Sequence, residues 1–242
     1  MAISDLTVIL NGIAILDRVT AMIPEKGCTA VVGPNGAGKT TLFLALLGQI
    51  PHRGAIRFPA WPARPRFGYV PQRLELDPGL PITAGEFLRL SRGPLPLWLP
   101  SRRAERNRAE NLLSLVGLEH CRDRRVGELS GGELQRLLVA LALGRNPEIL
   151  LLDEATSAAD AGNREELWRL MDRLRREMGF VQIMISHDFP SVTAYADRLI
   201  CLNHRVLAEG DAADFRANGG LASIFPGPAS PAPAPLRESC HA

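Results

Sequence analysis

Gly33-Pro34-Asn35-Gly36-Ala37-Gly38-Lys39-Thr40-Thr41 fits the pattern G-x-x-x-x-G-K-[ST]. The glycines let the backbone turn tightly and come close to a phosphate with no side chain in the way. Successive N–H groups then converge as an anion cradle, and the helix that follows aims its positive end at the same charge. Lys39 can reach the β- and γ-phosphates, and the Thr40 hydroxyl can ligate Mg²⁺. The flanks agree. The apolar run Thr29-Ala30-Val31-Val32 reads as a strand entering the loop, and Leu42 to Leu47 reads as a helix leaving it. The stretch implies a nucleoside triphosphate with Mg²⁺. It does not say what the energy drives.

Working outward, 242 residues suit one α/β unit or such a unit with an inserted subdomain. The 46% hydrophobic share is enough for a buried core. At a net charge of +2 no strong field argues for a nucleic-acid partner, and none is expected. The local basic runs, Arg102-Arg103 with Arg106 and Arg108, and Arg122 with Arg124-Arg125, read as solvated helix faces. No stretch approaches the ~20 apolar residues of a membrane helix. The start, Met1-Ala2-Ile3-Ser4-Asp5, lacks a signal-peptide pattern, so a cytoplasmic location is expected. Cys28, Cys121, Cys201 and Cys240 form no C-x-x-C pair and read as reduced thiols.

In chain order, Leu6–Leu10 and Ile13–Leu16 flank the hairpin dipeptide Asn11-Gly12, and Val19–Ile23 continues the sheet. After the loop and its helix, which ends near Gly48, short strands are expected at 55–58 and 67–70. Helices are expected over 83–91 and 101–116, with Ser101 as N-cap and Gly117 as stop. Between them, residues 93–100 are apolar and broken by prolines. They fit either a partner surface or a loop packed on its own helices. Ser130 can cap a helix that opens at Gly131-Gly132. That helix is either an ordinary capped helix or a second anion site.

Ile149-Leu150-Leu151-Leu152-Asp153-Glu154 is an unbroken apolar run ending in two carboxylates, as a strand buried on both faces of a parallel sheet would be. Ligands of such sheets gather at the carboxyl ends of strands. Asp153 is placed to hold Mg²⁺, directly or through water, and Glu154 to orient or deprotonate an attacking water. Residues 162–178 read as an amphipathic helix with Leu167, Leu170, Met171 and Leu174 on one face. Val181–Ile185 reads as the last parallel strand, delivering His187 toward a γ-phosphate. Leu199–Leu202 and Val206–Ala208 read as a closing hairpin. The Pro/Ala-rich tail, 227–242, is expected to be disordered, and its Cys240-His241 is a weak metal motif.

The order of these motifs resembles the ATP-binding-cassette (ABC) ATPase family over about residues 4–225. The phosphate loop matches at Gly33–Thr41, the glutamine loop at Gln72 and the signature at Leu129-Ser130-Gly131-Gly132-Glu133. The carboxylate strand matches at Leu150–Glu154, the following dimer loop at Ser157–Asp160 and the switch histidine at His187. The resemblance implies a P-loop NTPase cassette of α/β class: a RecA-like mixed sheet core, an antiparallel β subdomain and an inserted helical subdomain. Residues 1–72 and 147–226 would form the core, and 73–146 the helical subdomain. It further implies head-to-tail pairing of two cassettes, with ATP between one phosphate loop and the partner's Ser130-Gly131-Gly132. In that scheme Gln72 senses Mg²⁺ and water, Glu154 is the catalytic base, His187 clamps the γ-phosphate and Asp160 communicates across the dimer. The family's adenine-stacking aromatic is missing, since its position falls near Leu10. Ala155 also replaces a common proline.

Segments 68–77, 80–83, 87–90 and 199–204 resemble the ATPase subunits of zinc and manganese importers. The expected role is an importer ATPase peripheral to the cytoplasmic face of the membrane. Its partners would be an integral membrane permease and, indirectly, a periplasmic or extracellular metal-binding protein. The alternatives are manganese or iron-chelate import, or a soluble ABC ATPase outside transport.

Overall fold

The computed structural model describes residues 1–72, 74, 77, 79–89, 103–154, 161–186, 189–217 and 224–225. The expectations for Ser101, the 93–100 loop, Ala155, Ser157–Asp160, His187 and the 227–242 tail lie outside the described residues.

Strands β1 (Ala2–Leu10), β2 (Ile13–Met22) and β4 (Arg53–Arg57) form an antiparallel sheet in the order β2-β1-β4. Asn11 and Gly12 turn between the first two with φ of 49° and 80°, the left-handed pair that a two-residue hairpin turn needs. The runs read separately as Ile13–Leu16 and Val19–Ile23 belong to one strand, bent at Arg18 (φ 48°) where the register slips.

The second sheet is built from β3 (Cys28–Val32), β5 (Phe67–Val70), β6 (Ile149–Asp153), β7 (Val181–Ile185), β8 (Arg198–Asn203) and β9 (Arg205–Asp211). Its order is β5-β6-β7-β3-β8-β9. One expectation is corrected here. Val181–Ile185 is not the last parallel strand, because β8 also runs parallel to β3, pairing Ala30 with Leu199, while its other edge forms the antiparallel hairpin with β9. Burial explains why β6 reads as an unbroken apolar run, and β3 and β7 as apolar runs interrupted only by the buried Thr29 and Gln182. Cys28, Ala30, Val32, Leu150, Leu152 and Met184 face one apolar cluster; Val31, Ile149, Leu151, Ile183 and Ile185 face the other. Each strand is covered on both sides and needs no polar face.

Among the described residues the α-helices are α1 (Lys39–Leu47), α2 (Ala84–Arg89), α3 (Arg103–Leu115), α4 (Gly131–Leu143), α5 (Ala161–Met178), α6 (Phe189–Tyr195) and α7 (Ala212–Ala217). Helix α1 packs with the antiparallel sheet on one side of the parallel sheet; α2 to α5 share the cluster on the other. Gly48 and Gly117, at the ends of α1 and α3, take φ of 72° and 71°, as helix stops do. In α5 the expected Leu167, Met171 and Leu174 are buried, Leu170 is half-buried, and Trp168 joins them. Segment 82–85 pairs with 122–126 through Ala84 N–H to Arg124 O, Gly85 N–H to Arg122 O and Val126 N–H to Ile82 O. This ties α2 to the turns that lead into α4.

Candidate active site

Strand β3 is central in its sheet and delivers Gly33 to a point where no side chain fits: a Cβ there would lie 2.0 Å from the Leu202 carbonyl oxygen. Gly36 and Gly38 follow with φ of 80° and 92°. Gly38 is also the N-cap of α1 and offers no side chain to its first amides. Those N–H groups therefore face the cleft bare, the condition for binding an oxyanion.

The loop is pinned from outside by His204, in the turn between β8 and β9. Its N–H donates to Ala37 O (3.0 Å), its carbonyl accepts from Asp17 N–H (2.8 Å), and its Nδ1 lies 3.0 Å from Ile15 O. His204 thus joins β2, the loop and the terminal hairpin. Lys39 is buried, and its Nζ donates to Gly33 O and Pro34 O, both at 2.9 Å. Burial lowers its pKa, against the pull of Glu154 and Asp153.

Opposite the loop, β6 ends at Asp153, which is 2% exposed. Burial pushes its carboxyl pKa up and Glu154 adds to this. The Thr40 and Tyr69 hydroxyls and Lys39 oppose the rise. Tyr69 OH donates to Oδ2 at 3.2 Å, while Oδ1 is buried with no hydrogen-bond partner among the described residues. A buried, orphaned carboxylate oxygen beside a hydroxyl suits a hard divalent cation. The Tyr69 hydroxyl in turn is pushed up to about 12 by burial and by Asp153, so it stays a donor.

Glu154 takes φ of 44°, rare for a side chain of its size. Its N–H donates to Ile185 O at 3.0 Å. That turn brings its carboxylate toward the loop, where Oε2 accepts from Gln72 Nε2 at 2.7 Å. Gln72 follows β5, the neighbour of β6. Ile15, Asn35 to Thr41, Gln72 and Glu154 line a cleft of about 670 Å³, a volume that suits a nucleotide-sized ligand.

The structure therefore gathers the phosphate loop, Gln72, Asp153 and Glu154, expected from three separate stretches of sequence. The hairpin residue in the cleft wall is Ile15; Leu10 is exposed beside the hairpin turn. Ser130, Gly131, Gly132 and Glu133 do not line this cleft. Ser130 caps α4 in a reciprocal box: its Oγ accepts from Glu133 N–H, and Glu133 Oε2 accepts from Ser130 N–H at 2.8 Å. That pair, chiefly the Ser130 N–H, holds the Glu133 carboxyl at about 2. Ser130 and Gly131 are exposed. Tyr69 and His204 were not singled out for the site by sequence reading, and no local pattern marks either one.

The sequence profile described as ABC transporter matches residues 16–157. The zinc import ATP-binding protein ZnuC of Cereibacter sphaeroides is 42% identical over 196 residues, 81% of this chain and 76% of that protein. Among solved structures, the ADP conformation of MJ1267, an ATP-binding cassette of an ABC transporter, superposes with a TM-score of 0.80. That match covers 94% of this chain and all of the other at 24% identity, and so speaks for the fold alone. The dimeric post-hydrolysis cassette MJ0796 bound to ADP and Pi has a TM-score of 0.74 at 25% identity, covering 87% and 98% of the two chains.

Proposed function

The chain belongs to the ABC transporter family, and on that premise we propose that it is the ATP-hydrolysing subunit of an importer for a transition-metal ion, zinc foremost. The observation that carries the reading is the cleft in which a bare helix start, Lys39, an orphaned Asp153 oxygen and the Gln72–Glu154 pair converge. Zinc is favoured because a relative at 42% identity is a zinc import ATP-binding protein.

In this reading the amides of 33–41 bind the ATP phosphates, and Lys39 exchanges its two loop carbonyls for β- and γ-phosphate oxygens. Ile15 gives the adenine an aliphatic wall. Thr40, Asp153 and Gln72 would hold Mg²⁺, which when bound neutralises developing phosphate charge. Glu154 orients the attacking water and takes its proton. His187 and Asp160 keep their proposed roles as γ-phosphate clamp and dimer contact.

A second copy supplies Ser130-Gly131-Gly132 over the γ-phosphate, with Glu133 holding that segment in shape. The dimeric MJ0796 cassette supports such a pairing. Residues 1–72 and 147–226 act as the nucleotide-binding core and 73–146 as the helical subdomain. The pair works at the cytoplasmic face of the membrane with an integral permease, fed by a periplasmic or extracellular metal-binding protein. No helix among the described residues is long and apolar enough to cross a membrane, which accords with a peripheral subunit.

The test is uptake of radiolabelled zinc and manganese in cells lacking the chain, restored with wild type or Glu154→Gln. Zinc uptake rescued only by wild type is the expected result. Unchanged zinc with lost manganese would overturn the cargo, and no change in either would overturn the importer.

A further inference from the structure

Away from the cleft, three metal-binding side chains meet where α4 begins. His120 and Cys121 stand in a short helical turn before it, and Glu133 is in its first turn. One ligand atom from each lies within 4.8 Å of the other two. Glu133 Oε1 is 3.3 Å from Cys121 Sγ and 3.6 Å from His120 Nε2. Bonds of about 2.0–2.3 Å to a tetrahedral ion separate neighbouring ligands by about 3.3–3.8 Å, so two edges of such a site are already at length.

The position is held by a cation now. Arg124 Nη1 lies 2.8 Å from Glu133 Oε1 and 3.5 Å from Cys121 Sγ, and its Nη2 donates to Glu128 O at 2.7 Å. Glu133 divides its two oxygens. Oε2 serves the Ser130 cap, and Oε1 faces His120, Cys121 and Arg124. A ligand on Oε1 leaves the cap intact.

We propose that His120, Cys121 and Glu133 form a three-ligand site for one zinc-class divalent ion, which binds in exchange for the Arg124 guanidinium. Nitrogen, sulfur and a single carboxylate oxygen select zinc or a similar borderline ion over Mg²⁺ and Ca²⁺, which need oxygen shells. Charge stays balanced. Coordination at Sγ releases the thiol proton to solvent, and thiolate plus carboxylate then neutralise a doubly charged ion once Arg124 has swung out. Arg124 is 40% exposed and His120 65%, so both have room to move. The exchange also releases Glu128 O, two residues before Ser130. The ion would thereby act on the loop leading to Ser130-Gly131-Gly132. The ion class follows from the donor set and not from the transport reading above, so failure here leaves that reading standing.

The test uses the full chain with Cys240→Ser and His241→Ala, which remove the other Cys-His pair. Zinc is titrated against a chromophoric chelator in excess Mg²⁺, and cobalt serves as spectroscopic probe. One equivalent should bind, with a thiolate-to-cobalt charge-transfer band that Cys121→Ser removes. The exposed His120→Ala should weaken binding about tenfold or more, and Arg124→Gln should tighten it. A cobalt spectrum without that band, a band that survives Cys121→Ser, or no gain in Arg124→Gln would overturn the site.

Discussion

The side-chain amide of Gln72 donates to Glu154 Oε2 across 2.7 Å, joining a bend after β5 to the residue after β6. The proposed catalytic carboxylate is thus engaged by the residue proposed to sense Mg²⁺. If Glu154 is the base, Glu154→Gln should bind ATP as wild type does, lose about 10²–10⁴-fold in kcat and accumulate as an ATP-bound dimer. Equilibrium nucleotide binding, phosphate release and size-exclusion chromatography check the three parts. A monomeric variant with undiminished hydrolysis would remove the assignment.

Asp153 gives a pH prediction of known sign. Its pKa is raised by burial above the ordinary 3.8. Between those two values the native state holds more protons than the unfolded one, so stability falls as pH rises through that window and stays lowered above it. Asp153→Asn should therefore raise the Tm of the nucleotide-free chain at neutral pH and flatten the acid-side slope. It should also abolish the extra stabilisation that Mg²⁺ adds to ATP. Calorimetry across pH reads all of these.

Gly33→Ala places a methyl group 2.0 Å from the Leu202 carbonyl oxygen, which is backbone and cannot rotate away. Forced shifts of this kind cost about 1–3 kcal/mol. Here they would also move Leu202 and the His204 turn beyond it. A lower urea midpoint together with weaker nucleotide binding is expected.

Ser130→Ala removes half of the capping box, at about 1 kcal/mol of stability. On the proposed pairing it also removes a phosphate contact made in trans. Nucleotide binding to a dilute monomer should be unchanged while turnover of the assembled pair drops. Wild-type turnover in Ser130→Ala would remove the trans contact.

Much of this was legible because local rules carried it. The phosphate loop needed only its glycines and Lys39, and β6 showed as an unbroken apolar run because both of its faces are covered. Ser130 announced α4 through its cap. What escaped was made by tertiary pairing. His204 reaches Ala37 only because β8 lies against β3, and nothing within either stretch encodes that contact. Tyr69 looked like an ordinary strand residue until the β5–β6 register placed its hydroxyl on Asp153. Helices α6 and α7, of seven and six residues, are too short to show a helical period. The parallel pairing of β8 was hidden because the short turn to β9 marks only its hairpin edge, while the run Leu199–Leu202, buried along its whole length, does not say which strand lies on the other edge.

The exposed start of α4 lies outside the cleft of its own chain. On the proposed pairing each copy therefore carries two half-sites, and neither can turn over alone. Hydrolysis by the free chain should then be second order, with its rate rising as the square of protein concentration until pairing saturates. A membrane partner that holds two copies side by side would replace that dependence with a fixed effective concentration. Assembly on the permease would by itself be an activating event, and chains not so assembled would leave cellular ATP almost untouched.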